Sequence, residues 1–246
     1  MLGPNEFIEG LFSLLYVIAN MIIGILVILR YFKYKDKTFI FVGLTLLGAG
    51  CPWWPSSVSF LSNVILNQPL PDQIYFFLGN AFAPILTYAW IIALNILLFE
   101  GKNKILLVVY AVILGVFQVG FLLMLFFTPH SIGELDRYHL NVQYFGFVMT
   151  FLILILMTIT LTGIWVSVRS MKSDNPLVKL KGQILFLSYT TYAILAILDA
   201  VVPLITIGVI IVRIFLILNF ITIYMGWVMP EPAQKFFIKI KLLKEL

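Results

Sequence analysis

Long apolar stretches separated by short polar breaks dominate the chain. Seven of them lie at about residues 7–30, 38–57 or somewhat beyond, 74–99, 105–127, 144–168, 183–207 and 209–228. Each has roughly the 20 apolar residues that a helix needs to cross a hydrocarbon core. Stretches such as "FLILILMTITLTGIWVSV" are apolar on every face, which favours helices over alternating barrel strands. The pattern predicts an all-α bundle of seven transmembrane helices over residues 1–230 and a short basic amphipathic tail over 231–246.

The composition agrees with a membrane-embedded chain. Hydrophobic residues make up 62% of the 246 residues and charged residues 11%, which is more apolar surface than a water-soluble domain of this size buries. We therefore expect an integral protein of the plasma membrane. The first stretch is too long for a signal-peptide core and has no basic residue before it, which predicts a retained helix. Cys51 is the sole cysteine, so no disulfide forms within the chain.

The basic residues predict which end of the bundle is cytoplasmic. Fourteen of the sixteen lysines and arginines fall in alternate breaks and in the tail, leaving Arg137 and Arg213. By the positive-inside rule, this distribution places the N-terminus outside and the C-terminus in the cytoplasm. The net charge of +5 then describes a cytoplasmic rim that faces anionic lipid, and it predicts no nucleic-acid partner.

Polar residues recur at helical spacing in several of the predicted helices. The stripes are Glu9, Ser13, Tyr16, Asn20 and Gly24 in the first helix; Asn80, Pro84, Thr87 and Asn95 in the third; and Ser188, Tyr192, Asp199, Pro203 and Thr206 in the sixth. Polar side chains within a membrane normally face the bundle interior, so the stripes predict the inward faces. Most such residues hydrogen-bond between helices.

Two charged residues stand out inside the predicted helices. A carboxylate such as Asp199 costs about 3 kcal/mol within a span, so we expect it to be paired, protonated or hydrated. Arg213 follows shortly after the turn into the seventh helix and can reach Asp199 along the two helices. The pair either lines a water-accessible site or forms a structural salt bridge, unless Arg213 extends outward to the membrane surface.

The sequence "GAGCPWWPSS" interrupts the second helix in its outer third. Pro52 and Pro55 each remove a backbone donor, which kinks or ends a helix. Trp53 and Trp54 point about 100° apart, so we expect one in the interfacial aromatic belt and the other in an aromatic wall. The alternative is that the helix ends here, with both tryptophans as interfacial anchors.

Together these features predict an outward-facing pocket among helices one, two, three, six and seven. The predicted ligand-binding residues are Asp199, Arg213, Trp53, Trp54, Asn80, Tyr88 and Tyr192, and the predicted hinges are Pro52, Pro84 and Pro203. His130 and His139, the only histidines, lie in the polar segment between the fourth and fifth helices without a partner motif, so no metal site is predicted. The motifs of enzymes and cofactor sites are also missing, which argues against catalysis.

Seven helices with the N-terminus outside are similar in layout to microbial rhodopsins and G-protein-coupled receptors. The seventh helix, "VIIVRIFLILNFITIYMGWV", has no lysine for retinal and no Asn-Pro-x-x-Tyr motif, and the third helix lacks the Asp-Arg-Tyr ending. The exit "YMGWVMPEPAQKF", residues 224–236, resembles the seven-helix modules of prokaryotic, especially archaeal, sensor proteins. Some of those modules precede histidine kinase domains. That resemblance implies a sensor that signals through a separate partner, because no output domain follows the exit here.

The predicted function is a receptor-like or sensor-type membrane protein that binds a small amphipathic ligand and acts on a cytoplasmic or membrane partner. One alternative is a small-solute or proton-coupled transporter, which a faint repeat between the second and sixth helices would favour. The other is a structural subunit of a membrane assembly, in which the polar stripes are packing seams.

Overall fold

The computed structural model describes residues 2–201 and 206–239, and it is an all-α bundle with one small hairpin. The helices are α1 Pro4–Tyr34, α2 Thr38–Ala49, α3 Trp54–Leu66, α4 Asp72–Asn80, α5 Ala83–Phe99, α6 Lys104–Phe127, α7 Gly146–Met171, α8 Pro176–Val201, α9 Thr206–Val228 and α10 Glu231–Lys239. A 3-10 turn, Cys51–Trp53, joins α2 to α3, and strands β1 Gly133–Leu135 and β2 Val142–Tyr144 pair antiparallel.

Within the described residues, seven stretches of helix are long and apolar enough to cross a membrane, as the sequence predicts. We number them spans 1 to 7; span 2 combines α2 and α3 as Thr38–Leu66, and span 3 combines α4 and α5 as Asp72–Phe99. Span 2 was predicted as 38–57 or somewhat beyond and extends to Leu66, because helix resumes at Trp54 with Pro55 in its first turn. The alternative that the helix ends at the two prolines is therefore wrong. Span 6 begins at Pro176, seven residues before the predicted 183.

Spans 1, 2, 3, 5, 6 and 7 form a closed ring in which each packs against its neighbours. Span 4 lies outside this ring against span 3, and stacked phenylalanines, Phe117 on Phe151, join it to span 5. Only 17% of the apolar window of span 4 is buried, against 50% for spans 2 and 3. The main core cluster takes residues from every span of the ring, and span 4 is peripheral.

Hydrogen bonds bring the basic breaks of the sequence together at one end of the bundle. Arg30 Nη2 donates to the hydroxyl of Tyr224 at 2.5 Å, Lys181 Nζ to the carbonyl of Trp227 at 3.3 Å, and Arg169 Nη1 to the carbonyl of Leu98 at 3.2 Å. We call this the inner end, following the orientation that the sequence predicts. The end that carries the start of span 1 and the hairpin is called the outer end.

Spans 1 and 2 approach each other through glycine. A β-carbon placed on Gly43 lies 2.7 Å from the carbonyl oxygen of Gly24 and 2.9 Å from the amide nitrogen of Ile28. Both atoms belong to backbone, so the two helices must separate to admit a methyl group. Gly115 in span 4 has no atom within 4 Å of the same position.

We therefore expect Gly43→Ala to lower the free energy of unfolding by about 1–3 kcal/mol through overpacking. Thermal unfolding of the detergent-purified protein, followed by circular dichroism, measures the change. Gly115→Ala is the matched control and leaves the midpoint unchanged or slightly raised, because alanine favours helix over glycine. Equal midpoints for the two variants would mean that spans 1 and 2 do not meet at Gly43.

Helix α10, Glu231–Lys239, lies within the stretch predicted as a basic amphipathic tail. Residues 240–246, which include two of the tail lysines, lie outside the described residues, and so does the predicted hinge Pro203. The hairpin at the outer end was not predicted, because each of its strands has only three residues and no apolar alternation marks them.

Candidate functional site

The break in span 2 shapes the candidate site. Pro52 lacks the amide that would bond to the carbonyl of Gly48, so α2 ends at Ala49 and a 3-10 turn follows. The carbonyl of Ala49 accepts a hydrogen bond from the hydroxyl of Tyr192 in span 6 at 2.9 Å. One turn earlier, the carbonyl of Leu46 accepts from Asn20 Nδ2 at 2.6 Å. Neighbouring spans thus satisfy carbonyls at the break, as the membrane interior requires.

The same turn points Trp53 into the bundle. Trp53 is 8% exposed and packs edge-to-face on Tyr16 with ring centroids 4.9 Å apart. Its indole Nε1 donates to Asp199 Oδ2 at 2.6 Å. Trp54 turns toward span 3 instead, where its ring lies 5.9 Å from Phe82. Of the two consecutive tryptophans, Trp53 therefore belongs to the site.

Asp199 pairs with Arg213, as one of the sequence alternatives predicts. Arg213 Nε lies 3.7 Å from Asp199 Oδ1, and the two side chains are only 3% and 7% exposed, respectively. Neither of these two atoms has a hydrogen-bond partner among residues 2–201 and 206–239. The expectation that Arg213 extends outward to the membrane surface is wrong, because its guanidinium is directed into the bundle.

The guanidinium of Arg213 joins parts of the chain that are far apart in sequence. Nη1 donates to the carbonyl of Glu9 at 2.6 Å and to Ser13 Oγ at 2.5 Å, both in span 1. Nη2 reaches Asn141 Oδ1 at 3.4 Å, in the segment between spans 4 and 5. One cation thus holds span 1, span 6, span 7 and the segment above them. We call Glu9, Ser13, Asn141, Asp199 and Arg213 the Arg213 cluster.

The carboxylate of Glu9 closes the outer side of this cluster. Its Oε1 accepts from the hydroxyl of Thr206 at 2.7 Å, and its Oε2 accepts from Asn141 Nδ2 at 3.2 Å. The cluster therefore contains one basic and two acidic side chains. The arginine pairs with the carboxylate of Asp199 but meets Glu9 only at its backbone carbonyl. An excess of negative charge at a partly buried position makes the arginine the residue on which the cluster depends.

Residues 128–145 lie across the outer end, and we call them the outer segment. The carbonyl of Tyr138 accepts from Ser59 Oγ at 3.0 Å and from Asn63 Nδ2 at 2.8 Å, at the end of span 2. Asn80 Nδ2 donates to the hydroxyl of Tyr144 at 3.2 Å. These bonds hold the outer segment over the Arg213 cluster, so the cluster is closed in this structure, whereas the sequence placed it in an outward-facing pocket.

Span 3 is also interrupted, at about the same level in the bundle as the break in span 2. Helix α4 ends at Asn80, α5 starts at Ala83, and Pro84 lies in the first turn of α5. Pro52 and Pro84 thus both mark real breaks. Tyr88 lies further along span 3 and packs with a second hydrophobic cluster, apart from the one that contains Trp53 and Tyr192.

A small cavity lies deeper in the bundle. Its volume is about 20 Å³, and Ala49, Trp90, Tyr192 and Phe220 are among the side chains that line it. That volume admits one water-sized molecule. An amphipathic ligand therefore requires a conformation more open than this one.

The structure thus brings Trp53, Asp199 and Arg213 into direct contact and places Tyr192 at the adjoining helix break. Asn80 holds the outer segment, while Trp54 and Tyr88 face span 3 and the second cluster. Sequence reasoning missed Asn141 and Tyr138, whose only signal was the polar character of the outer segment.

Comparisons with known protein families, curated proteins and solved structures find no match for this chain.

Proposed function

We propose that this membrane protein is a receptor-like sensor in which the Arg213 cluster couples the outer segment to the packing of the spans. The proposal depends on one observation: a single buried guanidinium binds the outer segment, span 1 and span 6 at once. A stimulus that displaces the outer segment removes Asn141 from Arg213. Because a buried charge needs compensation, the remaining partners must then rearrange.

The interrupted spans give this rearrangement a mechanical route. The breaks before Trp54 and Ala83 lie beside the cluster, and helix breaks at proline are sites where a helix can bend. In this proposal the N-terminus is outside, in the plasma membrane, and a small ligand reaches the cluster when the outer segment lifts. The inner ends of spans 6 and 7 then move and act on a separate protein partner.

Asp199→Asn tests the proposal. The amide oxygen still accepts from Trp53, and Arg213 keeps its bonds to span 1. These bonds offset part of the roughly 3–5 kcal/mol that an unpaired buried charge costs, so we expect the variant to fold with a loss below that range.

With the ion pair gone, spans 6 and 7 lose their charged link at the outer end, while the bonds from Asn219 and Trp227 to span 6 remain. Nitroxide labels at Lys37→Cys and Asp174→Cys, studied by electron paramagnetic resonance in nanodiscs, report the distance between two points at the inner end of the bundle. We expect the distribution of this distance to shift.

The labelling is selective because Cys51, the sole native cysteine, is fully buried. Glu100→Gln, which removes an exposed carboxylate outside the Arg213 cluster and the outer segment, is the control and leaves the distribution as in the parent. An unchanged distribution in a well-folded Asp199→Asn protein would count against the coupling.

A transporter is the second candidate, because interrupted spans beside a buried acid are typical of secondary transporters. The repeat hypothesis matches spans 2 and 3 with spans 6 and 7. Span 7 is one continuous helix over Thr206–Val228, unlike the interrupted span 3, and Pro203, the counterpart of Pro52 in span 6, lies outside the described residues. Solute flux into proteoliposomes that disappears in Asp199→Asn would favour this second function over the sensor.

A further inference from the structure

A solvent-filled cleft of about 380 Å³ opens at the outer end beside the hairpin. Both histidines of the chain, His130 and His139, line it together with the carboxylates of Asp72 and Glu134. Among the described residues, no group of three or more histidine, cysteine or acidic side chains could hold a metal ion. The cleft therefore presents two imidazoles and two carboxylates, which are groups that can bind protons.

The ring of His139 lies between two oxygen acceptors of the start of span 3. Its Nδ1 is 2.6 Å from the carbonyl oxygen of Leu70, and its Nε2 is 3.8 Å from Asp72 Oδ1. The side chain of His139 is 17% exposed, so it is held in place and still open to the cleft. The ring also packs edge-on against Tyr75, with centroids 6.2 Å apart.

A neutral imidazole cannot serve both oxygens. It carries one N–H, which must stand on Nδ1 because a carbonyl oxygen only accepts. The lone pair of Nε2 then faces the carboxylate of Asp72. The protonated ring has an N–H on both nitrogens and a positive charge beside the carboxylate. Protonation therefore strengthens the attachment of the outer segment to span 3.

His139 is also next to the residues that close the Arg213 cluster. Tyr138 binds the end of span 2 through its carbonyl, and Asn141 binds Glu9 and Arg213 through its side chain. The backbone from 138 to 141 is pinned locally as well, because the amide of Leu140 donates to Asp136 Oδ1 at 2.8 Å. A stronger attachment of His139 to span 3 therefore keeps the side chain of Asn141, two residues further along the chain, in contact with Arg213.

We propose that His139 binds a proton between Leu70 and Asp72, that acidification locks the outer segment over the Arg213 cluster, and that loss of this proton is the stimulus that releases it. This inference deepens the proposed function and rests on it for its consequence inside the membrane. The ionisable groups around His139 are Asp72 and Tyr75 of span 3, His130 and Glu134 across the cleft, and Asp136, Arg137 and Tyr138 beside it in the chain. Burial raises the pKa of Tyr144 to about 12, so its bond to Asn80 is insensitive to pH in this range.

Hydrogen–deuterium exchange of the outer segment tests the proposal in phosphatidylcholine nanodiscs at about pH 5 and pH 8, on either side of the ordinary histidine pKa. After correction for intrinsic rates, we expect the amides of 138–145 to exchange roughly two- to fivefold more slowly at the lower pH, as for a partly exposed ion pair. His139→Gln and Asp72→Asn abolish the difference. His130→Gln, the matched control, retains it.

A pH difference that persists in His139→Gln, or one that is absent in the parent protein, overturns the proton proposal. The label distances at Lys37 and Asp174 give a separate readout in the same samples. Exchange that depends on His139 while those distances stay constant from pH 5 to 8 upholds the proton site and overturns the sensor function. A distance change without the exchange difference does the reverse.

Discussion

Arg213→Met is expected to lower the free energy of unfolding by about 3–5 kcal/mol, the largest effect of any substitution considered for this protein. The side chain is 3% exposed, and its removal leaves the carboxylate of Asp199 buried without a cation. The carbonyl of Glu9, Ser13 and Asn141 also lose their donor. Methionine keeps most of the apolar volume, so the loss is electrostatic. Thermal unfolding in detergent measures it.

Two companion variants separate the charge from the packing. Arg137→Met removes the other arginine of the outer end, which is exposed and lies over the ring of Tyr138, and it should change stability by less than about 1 kcal/mol. Combining Arg213→Met with Asp199→Asn removes both charges and should recover part of the stability. A double variant no more stable than Arg213→Met would show that Asp199 does not depend on the arginine.

Trp53→Phe is expected to lower the free energy of unfolding by about 2–3 kcal/mol. Phenylalanine preserves the aromatic contact with Tyr16 but removes the indole donor to Asp199, and a hydrogen bond to a charged group is worth about 1.5–3 kcal/mol. The loss of ring volume adds a smaller packing term. The adjacent Trp54 supplies an unusually close control, because its indole nitrogen has no hydrogen-bond partner within the described residues.

Trp54→Phe should therefore change stability by less than about 1 kcal/mol. Unfolding of the two single variants, measured under one set of conditions, gives the comparison. The prediction also extends to Asp199: in the Asp199→Asn background, Trp53→Phe should cost less, since its acceptor is no longer charged. Similar losses in the free energy of unfolding for Trp53→Phe and Trp54→Phe would show that Trp53 stabilises the protein through packing rather than through its bond to Asp199.

The sequence predicts the seven spans because apolar length is a direct requirement of the membrane and needs no knowledge of packing. It also gives the Asp199–Arg213 pair as one of its alternatives, since two charges near one turn can compensate each other inside a span. Pro52 and Pro84 mark helix breaks for an equally local reason, the missing amide. Each of these features follows from residues close together in the chain.

The remaining features depend on contacts between distant segments. The 3-10 turn shifts the rotation of α3 relative to α2, so helical spacing alone does not tell which of Trp53 and Trp54 faces Asp199. Tyr88 lies near the polar stripe of span 3, yet it packs with the second cluster because span 3 contacts spans on two sides. The outer segment is fixed by single hydrogen bonds from Ser59, Asn63 and Asn80, which leave no periodic signal.

The proposed sensor mechanism depends on the closed Arg213 cluster. The outer segment covers the pair, the pair joins spans 6 and 7, and the breaks in spans 2 and 3 lie at the same level. In an assembly subunit, the same contacts would serve packing alone and would not change with the state of the outer segment. The difference between the two accounts is whether the cluster has a second arrangement.

Density maps of the nanodisc-embedded parent protein and of Asp199→Asn test this most directly. We predict that the parent has Arg213 paired with Asp199 beneath the outer segment. In Asp199→Asn, we predict that residues 138–141 leave Arg213 and that the inner ends of spans 6 and 7 are displaced. One unchanged, closed arrangement in both maps would contradict the sensor and assign the Arg213 cluster to structure.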